Sequence, residues 1–420
     1  MPPRGVRVSV IIPTYNRAEL LRASLTALAA QHPPDEGGFE VIIADDGSAD
    51  ETRSVVQDFR SRLTLHYQFQ EDRGFRAAAA RNAGARLASG QVLVFLDSGI
   101  RPGPRFVRAH LAAHAAHAAA PTGQTLAVVG YTYGYRPDAD QLPGFGAGEP
   151  SPTPEETVRR YGHLPGFQDV RHLAFERFDF DLGATLVPWQ WFWSLNCSMQ
   201  AANFWAVGGF DEDFRSWGGE DTDLGYRLHR SGTAFTVSKD AWALDTPHER
   251  SVGDDLTSGA DNVLMMARKH PEPVTELLWA WFAKPSGHFE ISHDWNLEDE
   301  YLLVLRAAEE ARGRDAAPEL AALRSLPAGT RVAVFGCGSS VPEGLPRAEL
   351  FDFDETVAGS RHPGGVVRHG LGIRTPLADQ SVDHVLITSR LSGVWDRWGA
   401  WILGEAHRIG RQVHAPPANG

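Results

Sequence analysis

Val92-Leu93-Val94-Phe95-Leu96-Asp97-Ser98-Gly99 passes from five apolar residues straight into three that suit a polar turn. A strand that is apolar at every position is buried on both faces, as in a parallel sheet covered by helices; a sheet with one wet face alternates. Toward the N-terminus the pattern repeats. Val6 to Ile12 is a β-branched strand ended by Pro13, and Leu20, Leu21, Leu25 and Leu28 mark a helix over 18–30, with Asn16 placed to cap it. A strand over 39–44 ends in Asp45-Asp46-Gly47-Ser48, followed by a helix over 50–60, a strand over 63–68 and an alanine-rich helix over 76–87. Strand and helix alternate, so the class is α/β, and successive strands deliver Tyr15, Asp46 and Asp97 to the carboxyl edge, where open α/β sheets bind ligands. Each Asp taken singly is equally a turn or cap residue. Together, at successive strand ends, they read as a site.

Beyond Gly99 the chain gives a helix over 106–119 and a strand over 126–131, then a Pro- and Gly-rich excursion from Pro137 to Pro165 without periodicity. Trp189, Trp191, Phe192 and Trp193 follow, either as a core patch or as a stacking wall. The segment Phe204 to Leu228 carries two Gly-Gly turns (208–209 and 218–219) and then Glu220-Asp221-Thr222-Asp223. Leu224 and Leu228 share one face of a helix whose first turn holds the carboxylates, an arrangement that serves as an N-terminal cap or as a site at the helix mouth. A short strand over 234–237 and a polar turn over 246–250 follow. Pro271 and Pro273 split 258–282 into two helices, and another helix is expected over 297–314.

Around Pro327 the texture changes. Strands over 331–335, 349–353 and 382–388, a Gly336-Cys337-Gly338 turn and a helix over 398–409 describe a second, small α/β unit. The expected organisation is a first domain over 1–257, a helical extension and linker over 258–325, and a partial α/β domain over 326–420.

The 420 residues, 42% of them apolar, suffice for two cores. A formal net charge of -13 opposes a general nucleic-acid surface, and it leaves a phosphorylated substrate in need of a metal or a local arginine. Two cysteines, Cys197 and Cys337, make neither a disulfide framework nor a cysteine metal site and fit a reducing compartment. With no apolar leader and no apolar run of membrane-spanning length, the expected location is the cytoplasm.

Three groups of residues carry a resemblance. Val8 to Arg17, Glu40 to Ser48, Arg81-Asn82 with Gly84, and Leu96-Asp97-Ser98 resemble the nucleotide-sugar half of a family 2 glycosyltransferase. Val207 to Glu212 and Trp217 to Asp221 resemble the acceptor half of its polymerase-like and galactosaminyltransferase-like members. The resemblance implies a GT-A fold and inverting transfer from a nucleotide diphosphate sugar, usually UDP-linked, to a hydroxyl of a glycan, peptide or small natural product. It implies that Tyr15 stacks on the base, that Asp46 accepts the uracil imide hydrogen, that Pro13 and Thr14 shape that pocket, that Arg81 lies near the diphosphate or ribose side, and that Ser98 belongs to the nucleotide-binding residues. Asp97 and His248 would hold Mn²⁺ or Mg²⁺. Asp221, or else Glu220, would be the general base, with Trp217, Trp191 and Glu220 on the acceptor. Gly99 departs from the pattern, because the metal motif ordinarily ends there in a second Asp.

The C-terminal unit resembles part of a class I S-adenosylmethionine-dependent methyltransferase, through Phe335 to Gly338, Asp354 at an acidic strand end, and Thr375 to Leu386. It lacks the final strands of that fold, so packing, acceptor docking or homodimerisation is its expected use. The alternative functions are a non-catalytic sugar-nucleotide or glycan-binding protein and a bifunctional sugar and methyl transferase.

Overall fold

The computed structural model describes residues 6–32, 38–120, 123–134, 153–245, 252–283, 296–362 and 364–415. They belong to two compact units, 1–258 and 259–420.

The first unit begins with β1 (Val6–Thr14), α1 (Ala18–Ala29), β2 (Gly38–Asp45), α2 (Thr52–Asp58), β3 (Leu65–Phe69), α3 (Ala77–Leu87) and β4 (Val92–Leu96). These four strands are parallel in the order β3-β2-β1-β4. β4 is buried on both faces, as its composition requires: Val92, Val94 and Leu96 join the core of Leu21, Leu25 and Val55, while Phe95 packs on the rings of Phe204 and Phe210. The chain turns outward after β1 to build β2 and β3 and returns to place β4 on the other side, so a crevice opens between the carboxyl ends of β1 and β4. Asn16 does not cap α1. It takes a left-handed φ of 50° and its Oδ1 accepts from Ala49 N–H, while Asp50 Oδ2 accepts from Ala18 N–H at the helix start.

The other half of the sheet is mixed. It comprises β5 (Ile100–Pro102), α4 (Phe106–Ala118), β6 (Leu126–Tyr133), α5 (Pro154–Tyr161), α6 (His172–Arg177), β7 (Asn196–Gln200), α7 (Ala201–Ala206), α8 (Glu220–Arg230) and β8 (Ala234–Asp245). β7 runs antiparallel to β4, and the eight-stranded order continues β4-β7-β6-β8-β5. This is the GT-A arrangement: a parallel half joined to a mixed half. Because β7 is antiparallel, its beginning meets the end of β4, and residues 193–196 reach the same edge as Asp97. The Pro-rich excursion is not wholly irregular. Residues 135–152 lie outside the described residues, but Thr153 caps α5 by accepting from Glu156 N–H, and Pro154 sits in the first turn, where its missing N–H costs nothing. A buried polar layer pins α4 to β7: His110 and His114 both meet Ser198 Oγ at 2.9 Å, and His110 Nε2 meets Asn196 Oδ1 at 3.1 Å.

The unit boundary falls inside α9 (Val252–Lys269). The second unit contains α10 (Pro273–Phe282), α11 (Leu297–Ala311), α12 (Ala317–Ala321), β9 (Val332–Phe335), β10 (Ala348–Asp352), β11 (Arg361–His362), β12 (Gly365–His369), β13 (Val382–Ile387), α13 (Ser392–Ile409) and β14 (Gly410–His414). Its sheet order is β11-β12-β10-β9-β13-β14, parallel except at β11. α11 lies on α13, where a Cβ at Gly393 would stand 2.9 Å from Ala307 Cβ and Arg397 pairs with Glu300 at 2.9 Å.

Candidate active site

Gly218 and Gly219 both have φ of 90°, a left-handed conformation that glycine adopts without strain, and the turn they form lets α8 start directly at Glu220. The first turn of α8 therefore presents Glu220 and Asp221 at the carboxyl edge of the sheet. A second turn, at Gly208-Gly209, is clamped from α3. Asn82 Oδ1 accepts from Phe210 N–H at 2.9 Å, and its Nδ2 donates to Phe210 O at 2.8 Å and to Glu212 Oε1 at 2.9 Å. A Cβ on Gly209 would stand 2.8 Å from Asn82 Oδ1, so the clamp needs glycine there.

Directly before Asn82 on α3, Arg81 points its guanidinium into the edge and joins the two halves of the sheet. Its Nη2 donates to Asp97 Oδ1 and its Nη1 to Glu220 Oε1, both at 2.8 Å. A buried arginine held between two carboxylates is fixed in place, and it offsets part of their mutual repulsion. Asp221 is held by backbone: Ser194 N–H donates to Oδ2 at 3.1 Å and Thr222 N–H to Oδ1 at 2.8 Å. Glu220 is 6% exposed, and its Oε2 has no hydrogen-bond partner among the described residues. Burial, together with the charge of Asp221, pushes the Glu220 carboxyl up to about 7 against the pull of Arg81. Burial also raises Asp221, which the Ser194 N–H and Arg81 pull back down.

The ends of β1 and β2 are continuous with this cluster. Ser98 Oγ donates to Pro13 O at 2.8 Å, and Asp46 N–H donates to Thr14 O at 2.9 Å. Tyr15 is 46% exposed beyond the end of β1, with its hydroxyl donating to Asp72 at 2.8 Å. An unbroken chain of contacts thus runs from Asp46 through Thr14, Pro13, Ser98 and Asp97 to Arg81, Glu220 and Asp221. Asp46 is buried, with Oδ2 accepting from Arg76 N–H at 2.7 Å and Oδ1 from Gln70, while Thr14 Oγ1 is buried without a partner among the described residues. Its neighbour Asp45 is engaged wholly within the fold, by Gly47 and Ser48 N–H and by the Tyr67 hydroxyl.

His248 lies outside the described residues. Trp191 stands differently from its expected place on the acceptor: it is buried, with its ring edge-on to Phe175, so it offers no open face for a sugar, and its indole N–H has no hydrogen-bond partner among the described residues. Trp217 is exposed, and its carbonyl accepts from Ser258 Oγ. Gly99 has a φ of 96°, its N–H donates to Ser24 Oγ, and a Cβ there would meet Leu20 at 3.4 Å. The third motif position thus turns toward α1 and away from the cleft.

Sequence reasoning missed Arg171. It is fully buried, chelated by Asp169, and donates to Trp191 O at 2.9 Å and Gly130 O at 3.2 Å with its guanidinium carbon 4.8 Å from the Trp193 ring centre. It fixes the aromatic segment that leads into Ser194 and so into Asp221. Its neighbours in sequence say nothing of partners at Gly130 and Trp191.

Among the described residues no group of three or more His, Cys, Asp or Glu side chains is arranged to hold a metal ion. Asp97 nevertheless suits a hard cation in part: its side chain is 38% exposed, and Arg81 occupies one oxygen while the other carries no hydrogen bond among the described residues. One carboxylate oxygen fits a site completed by phosphate and water.

Comparison with known proteins supplies the class of the chain. A family model described as glycosyl transferase family 2 matches residues 9–178, and one described as the N-terminal domain of galactosyltransferase matches residues 172–248. The chain belongs to the family 2 glycosyltransferases. Among individual proteins it is 46% identical to the validoxylamine A glucosyltransferases of Streptomyces hygroscopicus subsp. limoneus and subsp. jinggangensis (strain 5008), over 98% of this chain and 91% and 97% of theirs. It is also 29% identical to the chondroitin synthase of Escherichia coli, over 60% of this chain and 37% of that protein.

Proposed function

We propose that this glycosyltransferase moves a glucosyl group, with inversion, from UDP-glucose to a hydroxyl of a validoxylamine-like small-molecule acceptor. The observation that carries a two-substrate transfer reading is the Arg81 bridge, which ties Asp97 on the donor strand end to Glu220 at the mouth of α8. Glucose and the acceptor class rest on the 46% identity, which spans nearly the whole of both relatives.

On this reading Tyr15 stacks on uracil, Asp46 accepts the imide hydrogen through its remaining lone pairs, and Thr14 Oγ1 gains the partner it lacks. Asp221 is the general base. The acceptor oxygen forms the new bond to the anomeric carbon as the bond from that carbon to the β-phosphate oxygen breaks, its electron pair leaving with UDP, and the hydroxyl proton passes to Asp221. Two backbone N–H groups aim the Asp221 carboxylate, which supplies positioning before the reaction starts. Glu220 Oε2, unpartnered, receives a second acceptor hydroxyl. Asp97 would hold Mn²⁺ or Mg²⁺ through its free oxygen, an ion that neutralises diphosphate charge when bound.

Incubation of the purified chain with UDP-glucose, validoxylamine A and Mn²⁺ tests this. The expected result is UDP release matched by a one-hexose mass gain on the acceptor. UDP release at no more than the acceptor-free rate, with no adduct, would overturn the acceptor assignment; transfer from another nucleotide sugar in preference would overturn the donor.

A further inference from the structure

We propose that the ligand crevice of the second unit is filled by the chain's own Arg390, so that this unit is a doubly wound nucleoside-binding fold that binds no nucleoside cofactor. The inference is independent of the sugar-transfer reading. In an open parallel sheet the crevice lies at the carboxyl ends of the strands where the order reverses. Here β9 leads outward to β10 and then β12 on one side and has β13 and β14 on the other, so the crevice is bounded by Gly336-Cys337-Gly338 after β9 and Thr388-Ser389-Arg390 after β13.

Both glycines take left-handed φ, 77° and 69°, the backbone that brings a turn close to a bound molecule. What comes close is Arg390. A Cβ on Gly338 would stand 3.2 Å from Arg390 Cδ, and one on Gly336 would stand 2.7 Å from Thr388 Oγ1. The Arg390 side chain is 2% exposed and that of Asp352, at the end of β10, is wholly buried. Arg390 Nε donates to Asp352 Oδ2 at 3.1 Å and Nη2 to Oδ1 at 3.3 Å, while Nη1 donates to the carbonyls of Ala311 and Arg314. Asp352 Oδ2 also accepts from Gly338 N–H at 2.7 Å. The acidic strand end and the glycine turn, the two features that would grip a ribose and its substituents, are thereby hydrogen-bonded directly to each other, with the Arg390 guanidinium paired to that same carboxylate and its stem packed against Gly338.

The neighbouring positions are closed in the same way. Asp354, two residues past β10, takes Arg312 at 3.0 Å. In the turn after β12, Leu371, Ile373 and Arg374 N–H all donate to the buried carboxylate of Glu276, an anion nest filled from α10. Each group that an incoming ligand would address already has an internal partner of matching charge.

The test uses the full chain. Calorimetric titration with S-adenosylmethionine, S-adenosylhomocysteine and NAD⁺ is expected to show no saturable heat, and none of them should shift the melting temperature. Arg390→Ala should lower the transition of the second unit by about 10 °C, because it strands a buried carboxylate. The paired change Arg390→Met with Asp352→Asn removes both charges and should recover most of that loss, which also covers the case in which the single variant fails to fold. Saturable binding of any of the three compounds by the unaltered chain, or an Arg390→Ala chain that melts where the parent does, would overturn the proposal.

Discussion

At the scale of single residues the site is an arrangement of carboxylates around one guanidinium, and its protonation is set by burial. Glu220 and Asp221 are adjacent and both raised, so they titrate as a pair, and on the proposed mechanism the base works only when ionised. kcat/KM is therefore expected to rise with pH along an acidic limb lying above the ordinary carboxylate range. Glu220→Gln removes one of the two neighbouring charges, which should move that limb to lower pH; a limb that stays put in the pH–rate profile would show that the two do not interact. Gly99 carries a second prediction. Its left-handed backbone and the approach of Leu20 mean that Gly99→Asp should cost roughly 1–2 kcal/mol of stability and add no Mn²⁺ affinity, measured by denaturant melts and by metal titration in the presence of UDP. Much of this was legible in the sequence, because Asp46, Asp97, Glu220 and Asp221 each follow an unmistakable strand end or turn. Arg81 was singled out by the resemblance, but not as the tie between Asp97 and Glu220, since it stands 139 positions from Glu220 in sequence. Arg171 and Asp45 were invisible because their partners are set only by tertiary packing.

At the scale of elements, the polar layer between α4 and β7 makes the first unit sensitive to acid. Burial depresses His110 to about 3 and His114 to about 4. The unfolded chain takes up these protons near pH 6.5 and the folded chain does not, so stability is intact above that value and falls as pH drops toward 4, by up to about 2.7 kcal/mol per pH unit for the two together. Melting temperatures from pH 7.5 to 4.5 check this, and His114→Gln should flatten the dependence. Strong periodicity made most elements readable: β4, α3, α4 and α8 fall within a residue or two of their sequence limits. β12 and β14 escaped because Gly-Val-Val-Arg-His and Gly-Arg-Gln-Val-His are short and half polar, lacking the apolar run that marks a central strand. α5 escaped because proline and glycine around it masked its Thr153-Pro154-Glu155-Glu156 start.

At the scale of the whole molecule, the chain combines a glycosyltransferase unit with a second open sheet whose own ligand crevice is filled from within. The texture change near Pro327 located the start of the second sheet. It did not reveal that α10 and α11 group with that sheet, because their contacts to α13 and to the turn after β12 are made across about a hundred residues. Chemistry is accordingly expected of the first unit alone. The most direct test of that account is Asp221→Asn, compared with the parent chain by UDP calorimetry and by transfer from UDP-glucose. UDP affinity should be unchanged while transfer falls on the order of 10³-fold. Turnover close to that of the parent, with UDP still bound, would contradict the assignment of the α8 mouth as the place where the acceptor loses its proton.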